Sequence, residues 1–284
     1  MQKLKDILKA YPFYLLPHHL ISRGVYKLTR IESGALPAII RKFSKVFNIN
    51  LNEAKIQDLT QFKTFNEFFT RELKEGLRPI DSTENSLCCP VDGTVSQAMN
   101  IKSGEIFQAK GQSYTALELL GGDKQLSDPF NQGMFTTIYL SPSDYHRIHM
   151  PCTATLTHQI HVPGRLFSVA PFTVNTVPRL FARNERVVSL FDTEYGRMAM
   201  VLVGAINVAA IETVWDGLVT PPQNKSITTK TYDDQNIVLE KGEEMGRFNM
   251  GSTIVLLMES NAFNWVVNTT TGTKVKLGEG LMKK

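Results

Sequence analysis

The sequence predicts an α+β fold, with a predominantly antiparallel β-sheet core and an N-terminal set of amphipathic helices. Within residues 1–50, basic side chains are interleaved with aliphatic and aromatic ones, a pattern typical of short amphipathic helices. Beyond Ile80 the chain changes to short runs rich in Val, Ile, Thr and Phe, separated by Gly, Pro and Asp, which are typical of strands and turns. We therefore expect a helical region over residues 1–75 and a β-rich domain over residues 76–284.

The basic charge of the chain is concentrated at its N-terminus. Residues 1–50 contain nine Lys or Arg side chains and two acidic ones, although the net charge of the whole chain is only +4. Basic helices with an apolar face are typical of proteins that lie on an anionic membrane surface. A helical cap packed on the β-rich domain would show the same amphipathic pattern, whereas the aliphatic content argues against a nucleic-acid-binding patch.

A further helix is predicted after these segments. Thr64 with Glu67 three residues later forms a capping-box pattern, which marks the start of a helix. One apolar face follows, formed by Phe65, Phe68, Phe69 and Leu73, and Gly76 and Pro79 end the helix.

The β-rich part is predicted from apolar runs bounded by turn residues. The expected strands cover residues 133–140, 186–191, 197–203, 208–214 and 254–258. The tetrapeptide Thr193-Glu194-Tyr195-Gly196 between two of them indicates a hairpin turn.

Composition excludes several protein classes. No apolar run reaches the roughly 18 residues that a membrane-spanning helix needs, and the N-terminus does not have the pattern of a signal peptide. The three cysteines, Cys88, Cys89 and Cys152, do not make a disulfide framework. We expect them to be buried packing residues in a reducing, intracellular setting.

Three segments of the β-rich part place reactive side chains beside turn residues. Asp92 precedes a glycine, His146 and His149 lie in a short segment bounded by prolines, and Ser252 follows the glycine of the chain's only Gly-Ser dipeptide. A serine hydroxyl becomes a nucleophile when an imidazole accepts its proton and a carboxylate orients that imidazole. The sequence therefore predicts an activated nucleophile at Ser252.

Two other interpretations compete at this point. Asp144, His146 and His149 could bind a metal, but no third ligand cluster stands out, so no metal site is expected. A lipid-acting serine hydrolase with an Asp-His-Ser triad is the alternative enzyme class, although no Gly-x-Ser-x-Gly elbow surrounds Ser252.

Six motifs and the Gly-Ser dipeptide together resemble the phosphatidylserine decarboxylases, pyruvoyl-dependent enzymes of phospholipid synthesis, and most closely the bacterial enzymes. The motifs cover residues 64–69, 78–81, 90–93, 144–151, 181–186 and 244–248, so the resemblance extends along nearly the whole chain. The family's processing motif is usually Leu-Gly-Ser-Thr, and here it is Met250-Gly251-Ser252-Thr253. Met in place of Leu preserves volume and polarity and touches neither side of the cleaved bond.

The resemblance implies an inactive proenzyme that cuts itself between Gly251 and Ser252. Ser252 attacks the Gly251 carbonyl, with His149 as the base and Asp92 orienting it. Elimination of the resulting ester leaves a large chain, residues 1–251, and a small chain, residues 252–284, whose first residue becomes a covalent pyruvoyl group.

The resemblance also implies the reaction of the mature enzyme. The pyruvoyl carbonyl forms a Schiff base with phosphatidylserine and accepts the electrons left when carbon dioxide departs, and His146 is the candidate donor of the proton that completes phosphatidylethanolamine. The large and small chains are expected to form a heterodimer, with a higher oligomer left open, on the cytoplasmic side of the cell membrane. The partner is phosphatidylserine in an anionic membrane, and no nucleic acid is expected.

The remaining histidines have no predicted role in the reaction. His18 and His19 are expected at the surface or the membrane interface, and His158 and His161 on the surface of a strand. The odd spacing of His146 and His149 directs them to opposite faces of an extended segment, so a bend is needed for both to reach Ser252.

Overall fold

The computed structural model describes residues 2–109, 111–206, 210–221, 225–259, 261–266 and 270–284. It contains eight described α-helices: α1 (Gln2–Leu15), α2 (His18–Leu28), α3 (Leu36–Phe47), α4 (Phe65–Phe69), α5 (Ala116–Leu119), α6 (Lys124–Ser127), α7 (Pro171–Val174) and α8 (Leu180–Arg183). Short 3₁₀ turns cover Leu51–Glu53, Leu59–Gln61 and Asp128–Gln132. Within the described ranges, no helix is long and apolar enough to cross a membrane.

Eighteen strands follow the first four helices among the described residues. They are β1 (Ser86–Cys88), β2 (Gly93–Asn100), β3 (Glu105–Ala109), β4 (Gln112–Thr115), β5 (Met134–Tyr139), β6 (Arg147–His149), β7 (Ala154–Val162), β8 (Arg186–Thr193), β9 (Gly196–Val203), β10 (Ile211–Thr213), β11 (Gly217–Thr220), β12 (Thr228–Thr231), β13 (Val238–Leu239), β14 (Glu244–Phe248), β15 (Thr253–Met258), β16 (Asn264–Trp265), β17 (Lys274–Val275) and β18 (Gly280–Lys283). The fold is the predicted α+β class, with an antiparallel sheet core and N-terminal helices.

The largest sheet has nine strands, in the order β12-β7-β8-β9-β15-β5-β2-β17, with β13 also paired to β7. Strand β15 lies inside this sheet: Thr253 is opposite Tyr139 of β5 on one side and Val203 of β9 on the other. All six residues of β15 are buried. The segment that follows Ser252 is therefore held by a complete ladder on both sides.

A second sheet positions the histidine segment. It has four strands in the order β11-β10-β14-β6. Strand β14 ends at Phe248, close to the Gly-Ser dipeptide in sequence, and pairs antiparallel with β6, which ends at His149. The histidine segment thus pairs with the strand that leads into the Gly-Ser dipeptide.

Two hydrophobic clusters stabilise the described chain. The large one is formed mainly by residues of the β-rich part and includes Ala10 of α1. The small one joins Ile40 of α3 to Leu59, Phe62 and Phe68. Helix α3 is thus packed by its inner face, while its outer face exposes Ile39 and Val46.

The predicted strands at 133–140, 186–191, 197–203 and 254–258 are confirmed, as is the hairpin between β8 and β9. The strand expected at 208–214 is described only over Ile211–Thr213, since residues 207–209 lie outside the described residues.

The helix predicted from Thr64 is shorter than expected. It ends at Phe69, and Leu73 instead forms an isolated bridge with Ala54. Thr64 Oγ1 accepts from the Glu67 amide at 3.2 Å, but the Glu67 carboxylate accepts from the Lys63 amide, so half of the capping box is present. Pairing with the segment after α3 thus overrides the helical periodicity.

Two expectations about histidines are wrong. His18 is buried, with only 3% of its surface exposed, because it lies between α1 and a loop of the β-rich part. His161 is also buried and forms a pair with Glu185 at 3.0 Å.

Candidate active site

Ser252 lies directly before the central strand β15 and is fully buried. Its carbonyl oxygen accepts a hydrogen bond from the Leu140 amide at 2.8 Å, which fixes its backbone. Its Oγ has no hydrogen-bond partner among the described residues. A buried hydroxyl without a partner is unfavourable, so this hydroxyl is held ready for a new contact or a reaction.

His146 lies against the residue on the other side of the predicted cleavage bond. A Cβ placed on Gly251 would be 3.4 Å from His146 Nε2 and 3.4 Å from the Leu140 carbonyl oxygen. A Cβ at position 251 would therefore be in ordinary van der Waals contact with both groups. The imidazole of His146 lies directly beside residue 251.

The tautomer of His146 follows from its single hydrogen bond. Nδ1 is 2.8 Å from the Asp144 carbonyl oxygen, and because a carbonyl can only accept, Nδ1 carries the proton. Nε2 is therefore an unprotonated acceptor, and it is buried without a partner among the described residues. Burial lowers the pKa of His146 to about 3, although its bond to Asp144 opposes the shift. The ring is neutral near pH 7.

Asp144 orients His146 through its backbone. Its carboxylate accepts from both the amide and the hydroxyl of Ser141, each at 2.7 Å. The Asp144 amide donates back to the Ser141 carbonyl at 2.9 Å. This closed turn aims the Asp144 carbonyl at the imidazole.

His149 occupies a different environment three residues further on. Its Nδ1 donates to the Gly242 carbonyl at 2.8 Å, so its Nε2 is the acceptor and lies 3.3 Å from the Tyr145 hydroxyl. Burial lowers the pKa of His149 below its usual value, and the Gly242 hydrogen bond opposes the shift. Both histidines are therefore neutral rings with Nε2 able to accept a proton.

Asp92 is engaged by an arginine. Arg78 Nε lies 2.9 Å from one carboxylate oxygen and Arg78 Nη2 lies 2.6 Å from the other. Arg78 Nη2 also contacts Glu53 at 2.8 Å. The Leu277 amide, close to the end of the chain, donates to Asp92 at 2.9 Å. The hydrogen bonding that Arg78 donates to Asp92 raises the pKa of Arg78, against the effect of burial.

Two cavities meet at Met250. The smaller, about 70 Å³, is lined by Gly251 and by Ser168, Val169 and Ala170, among other residues. The larger, about 510 Å³, is almost entirely apolar and lies between α2, α3 and α4. Met250 lines both cavities. An apolar space beside the helical region thus adjoins the candidate reaction site.

Comparisons with known proteins agree with this geometry. A family model described as "Phosphatidylserine decarboxylase" matches residues 65–283, and a second one described as "PSD" matches residues 8–48. The chain belongs to the phosphatidylserine decarboxylase family.

Curated members of this family are similar to the chain over most of its length. A phosphatidylserine decarboxylase proenzyme of Pseudomonas fluorescens is 52% identical over 273 residues, which cover 94% of each chain. One from Alkalilimnicola ehrlichii is 54% identical over 90% of this chain and 89% of its own length. One from Vibrio parahaemolyticus is 50% identical over 96% of this chain and 97% of its own.

In this member of the phosphatidylserine decarboxylase family, the four predicted site residues fall into two groups. Ser252 belongs to the Gly251-Ser252 peptide, and His146 lies beside Gly251. Asp92 and His149 lie nearby but bind other partners, and among the described residues no hydrogen bond joins Asp92 to His149 or His149 to Ser252. His146 lies just before the strand that contains His149, so the two histidines do not share one strand. The bend or loop expected to bring both to Ser252 stays a prediction.

Sequence reasoning missed Arg78 and Tyr145 as partners of the predicted residues. Both lie in motifs shared with the phosphatidylserine decarboxylase family, residues 78–81 and 144–151. Their chemical types alone carry no signal, because an arginine and a tyrosine have many ordinary structural uses. Their contacts with Asp92 and His149 join segments that are close only in the fold.

Proposed function

We propose that this chain is a proenzyme that cuts its own Gly251-Ser252 bond and then decarboxylates phosphatidylserine to phosphatidylethanolamine. Membership of the phosphatidylserine decarboxylase family supports the activity. The single structural observation that carries the proposal is a pair of buried atoms without hydrogen-bond partners among the described residues, Ser252 Oγ and His146 Nε2. These are a nucleophile and a proton acceptor beside the same peptide bond.

The self-cleavage is an acyl shift from nitrogen to oxygen. Ser252 Oγ bonds to the Gly251 carbonyl carbon, the Gly251-Ser252 C–N bond breaks, and the hydroxyl proton passes through the base to the departing amine. Loss of the Cα proton of residue 252 then expels the Gly251 carboxylate. Water finally releases ammonia and leaves a ketone at residue 252.

We assign His149 as the base for the first step, with Asp92 orienting it. The unprotonated Nε2 of His149 supports this assignment. The Tyr145 hydroxyl lies 3.3 Å from that nitrogen, so it must move away before His149 Nε2 can accept the Ser252 proton. His146 Nε2 is the competing base, since it already lies against Gly251. Measuring self-cleavage of His146→Ala and of His149→Ala by intact mass separates the two candidate bases. The base is the residue whose loss stops cleavage.

Position 252 fits a pyruvoyl group. Because Ser252 Oγ makes no hydrogen bond with the described residues, its departure with the Gly251 carboxylate breaks none. Leu140 and the two neighbours of β15 hold the new chain end in place. When present, the group supplies a carbonyl that takes up the substrate amine and the electrons released with carbon dioxide.

In the mature enzyme we assign His146 to deliver a proton to the carbon that loses carbon dioxide. Its burial favours the neutral ring, so the proton it delivers must first be taken up from the substrate or from water. The Asp144 carbonyl keeps Nε2 as the atom that carries the proton to the site.

The N-terminal helices are proposed to hold the enzyme on the cytoplasmic side of the cell membrane. They combine the basic excess of residues 1–50 with large exposed apolar side chains, including Leu8, Tyr11, Leu15, Leu20 and Leu28. Such surfaces insert into the interface and are attracted by anionic lipid. The large apolar cavity lies beside these helices, so a lipid substrate approaches from the same side.

The mature enzyme is proposed to be a heterodimer of residues 1–251 and 252–284. Strand β15 of the small chain lies between β9 and β5 of the large chain, and Asp92 accepts from Leu277 across the same boundary. Cleavage therefore leaves the two chains held together. A higher oligomer stays a prediction, as does the division into regions 1–75 and 76–284.

The proposed activity is tested with vesicles that contain phosphatidylserine. We expect release of carbon dioxide and formation of phosphatidylethanolamine, inhibition by hydroxylamine, and no activity in Ser252→Ala. Thr253→Val is the matched control, because it removes the neighbouring buried hydroxyl, which also lacks a partner among the described residues. A lipid-acting serine hydrolase would instead release fatty acid and react with serine-directed phosphonates. That outcome would replace the proposal.

A further inference from the structure

One wall of the small cavity at Gly251 is a loop. Ser168, Val169 and Ala170 line that cavity together with Gly251. They belong to residues 164–170, named here the wall loop, which contains no helix or strand. What holds the wall loop therefore sets the shape of the space beside the candidate reaction site.

The β-rich part holds the wall loop from one side. Asn184 is fully buried, and its Oδ1 accepts from the Phe167 amide at 3.0 Å. Its Nδ2 donates to the Phe167 and Gly204 carbonyls, each at 2.8 Å. This one side chain fixes the middle of the loop to the end of strand β9.

The junction of α1 and α2 holds the wall loop from the other side. His18 Nε2 hydrogen-bonds to the Phe13 carbonyl, and Nδ1 lies 3.1 Å from the Leu166 amide. Since an amide can only donate, Nδ1 is the acceptor and Nε2 carries the proton. Burial lowers the pKa of His18, against the Phe13 bond, so the ring has the neutral form that this arrangement requires. The ring edge also contacts Phe167, with centroids 5.1 Å apart.

Two further hydrogen bonds join the same elements. Arg165 Nη2 donates to the Tyr14 carbonyl at 2.8 Å, and His19 Nε2 donates to the Gly164 carbonyl at 2.9 Å. The rings of Tyr14 and Phe167 lie 4.9 Å apart. Both of these hydrogen bonds are exposed to solvent, whereas the hydrogen bond between His18 and the Leu166 amide is buried. The His18 hydrogen bond is therefore the strongest of the three.

The helices that hold the wall loop are also those proposed to contact the membrane. Leu15 and Leu20, on either side of the junction, are 89% and 70% exposed, whereas His18 between them is buried. If these helices served only to attach the protein, their junction would not need a buried polar contact with a loop at the reaction site.

We propose that His18 is a positioning residue, through which helices α1 and α2 hold the wall loop in the shape that the reaction needs. The inference rests on the proposed function, and it adds that the N-terminal helices are part of the active site as well as a membrane attachment. It does not involve self-cleavage, which is assigned above to Ser252, His149 and Asp92.

A water-soluble substrate separates positioning from attachment. Dihexanoyl phosphatidylserine below its micelle concentration does not require the enzyme to bind a membrane. We expect His18→Ala to self-cleave and to bind anionic vesicles as the wild type does, but to lose about tenfold in kcat/KM on this substrate, as for the loss of a buried hydrogen bond. His18→Gln should recover most of the loss, because an amide can accept from Leu166 and donate to Phe13.

His158→Ala is the matched control, since it removes a histidine from strand β7, away from the wall loop. It should stay within about twofold of the wild type. Equal rates for His18→Ala and the wild type on the soluble substrate would overturn the proposal, and so would a His18→Gln variant as impaired as His18→Ala. Should His18→Ala fail to mature, the decision passes to hydrogen exchange in the uncleaved Ser252→Ala protein, described next, and an unchanged exchange rate there refutes the idea.

Hydrogen exchange gives a readout that is independent of decarboxylation. In uncleaved Ser252→Ala protein, adding His18→Ala should speed exchange of the Leu166 amide at least about tenfold, because its acceptor is gone. An unchanged exchange rate would contradict the proposed contact. A wild-type protein that acts on neither the soluble nor the vesicle substrate would refute the proposed function, while the exchange experiment would still decide whether His18 orders the loop.

Discussion

Removal of Arg78 tests how the predicted site is held together. The side chains of Arg78 and Asp92 are only 9% and 10% exposed, and they are joined by three hydrogen bonds of 2.6, 2.9 and 3.1 Å. Removing one partner of a buried ion pair leaves the other charge uncompensated, which destabilises a protein by about 3–5 kcal/mol. The Leu277 amide would still donate to Asp92. We therefore expect Arg78→Met to lower the free energy of unfolding by about 3 kcal/mol, at the low end of that range.

The assay is urea unfolding of the uncleaved Ser252→Ala protein, in which one chain unfolds. With a denaturant dependence of about 3 kcal/mol per molar urea, the expected loss lowers the midpoint by about 1 M. Arg197→Met is the matched control, because Arg197 and Asp192 form a half-exposed pair at 3.8 Å. That change should lower the unfolding free energy by less than about 1 kcal/mol. Equal midpoints for the two variants would refute the reasoning that Arg78 holds Asp92 in the folded state.

Three further predictions follow from packing, titration and exposure. Gly133→Ala should block folding and maturation, because its Cβ would overlap the Met258 carbonyl oxygen. Gly24→Ala in α2 meets no atom within 4 Å, so it should raise the free energy of unfolding by up to about 1 kcal/mol, seen as a higher melting temperature. Burial lowers the pKa of His146 in the folded protein to about 3, whereas the unfolded chain takes up the proton below about pH 6.5. The free energy of unfolding, measured in urea, should therefore fall as the pH drops from 6.5 towards 3, and it should fall less steeply in His146→Gln. Leu20→Ser should weaken sedimentation with anionic vesicles about tenfold without stopping self-cleavage; unchanged sedimentation would argue against insertion of α2.

The strands of the β-rich core were predictable because each is marked by residues close together in the sequence. The apolar run that became β15 and the turn between β8 and β9 are marked by residue type and by their flanking glycines and polar residues. The helix from Thr64 was predicted too long for the opposite reason. Leu73 fits the helical periodicity, but its backbone forms a β-bridge with Ala54. The residues next to Leu73 in the sequence do not indicate this pairing with a distant segment.

For the candidate site, the sequence suggested residues but not their contacts. Ser252, His146, His149 and Asp92 were predicted from their chemistry and from the family resemblance, and their roles stay predictions. The Asp144 carbonyl that accepts from His146 and the Arg78 side chain that pairs with Asp92 were not predicted. Hydrogen bonds to backbone carbonyls and ion pairs between separate segments depend on the fold. The role of His18 was missed because a histidine beside a proline at an amphipathic junction resembles a surface residue in the sequence.

The intact mass of the purified chain under denaturing conditions tests the central claim most directly. We predict two fragments from the wild type, residues 1–251 and 252–284, with the smaller one carrying a keto group in place of its N-terminal serine. Ser252→Ala should give one chain of full length, and Thr253→Val should be processed like the wild type. A folded wild-type chain that keeps its full mass after long incubation would contradict self-cleavage at Gly251-Ser252, and with it the account of the site given above.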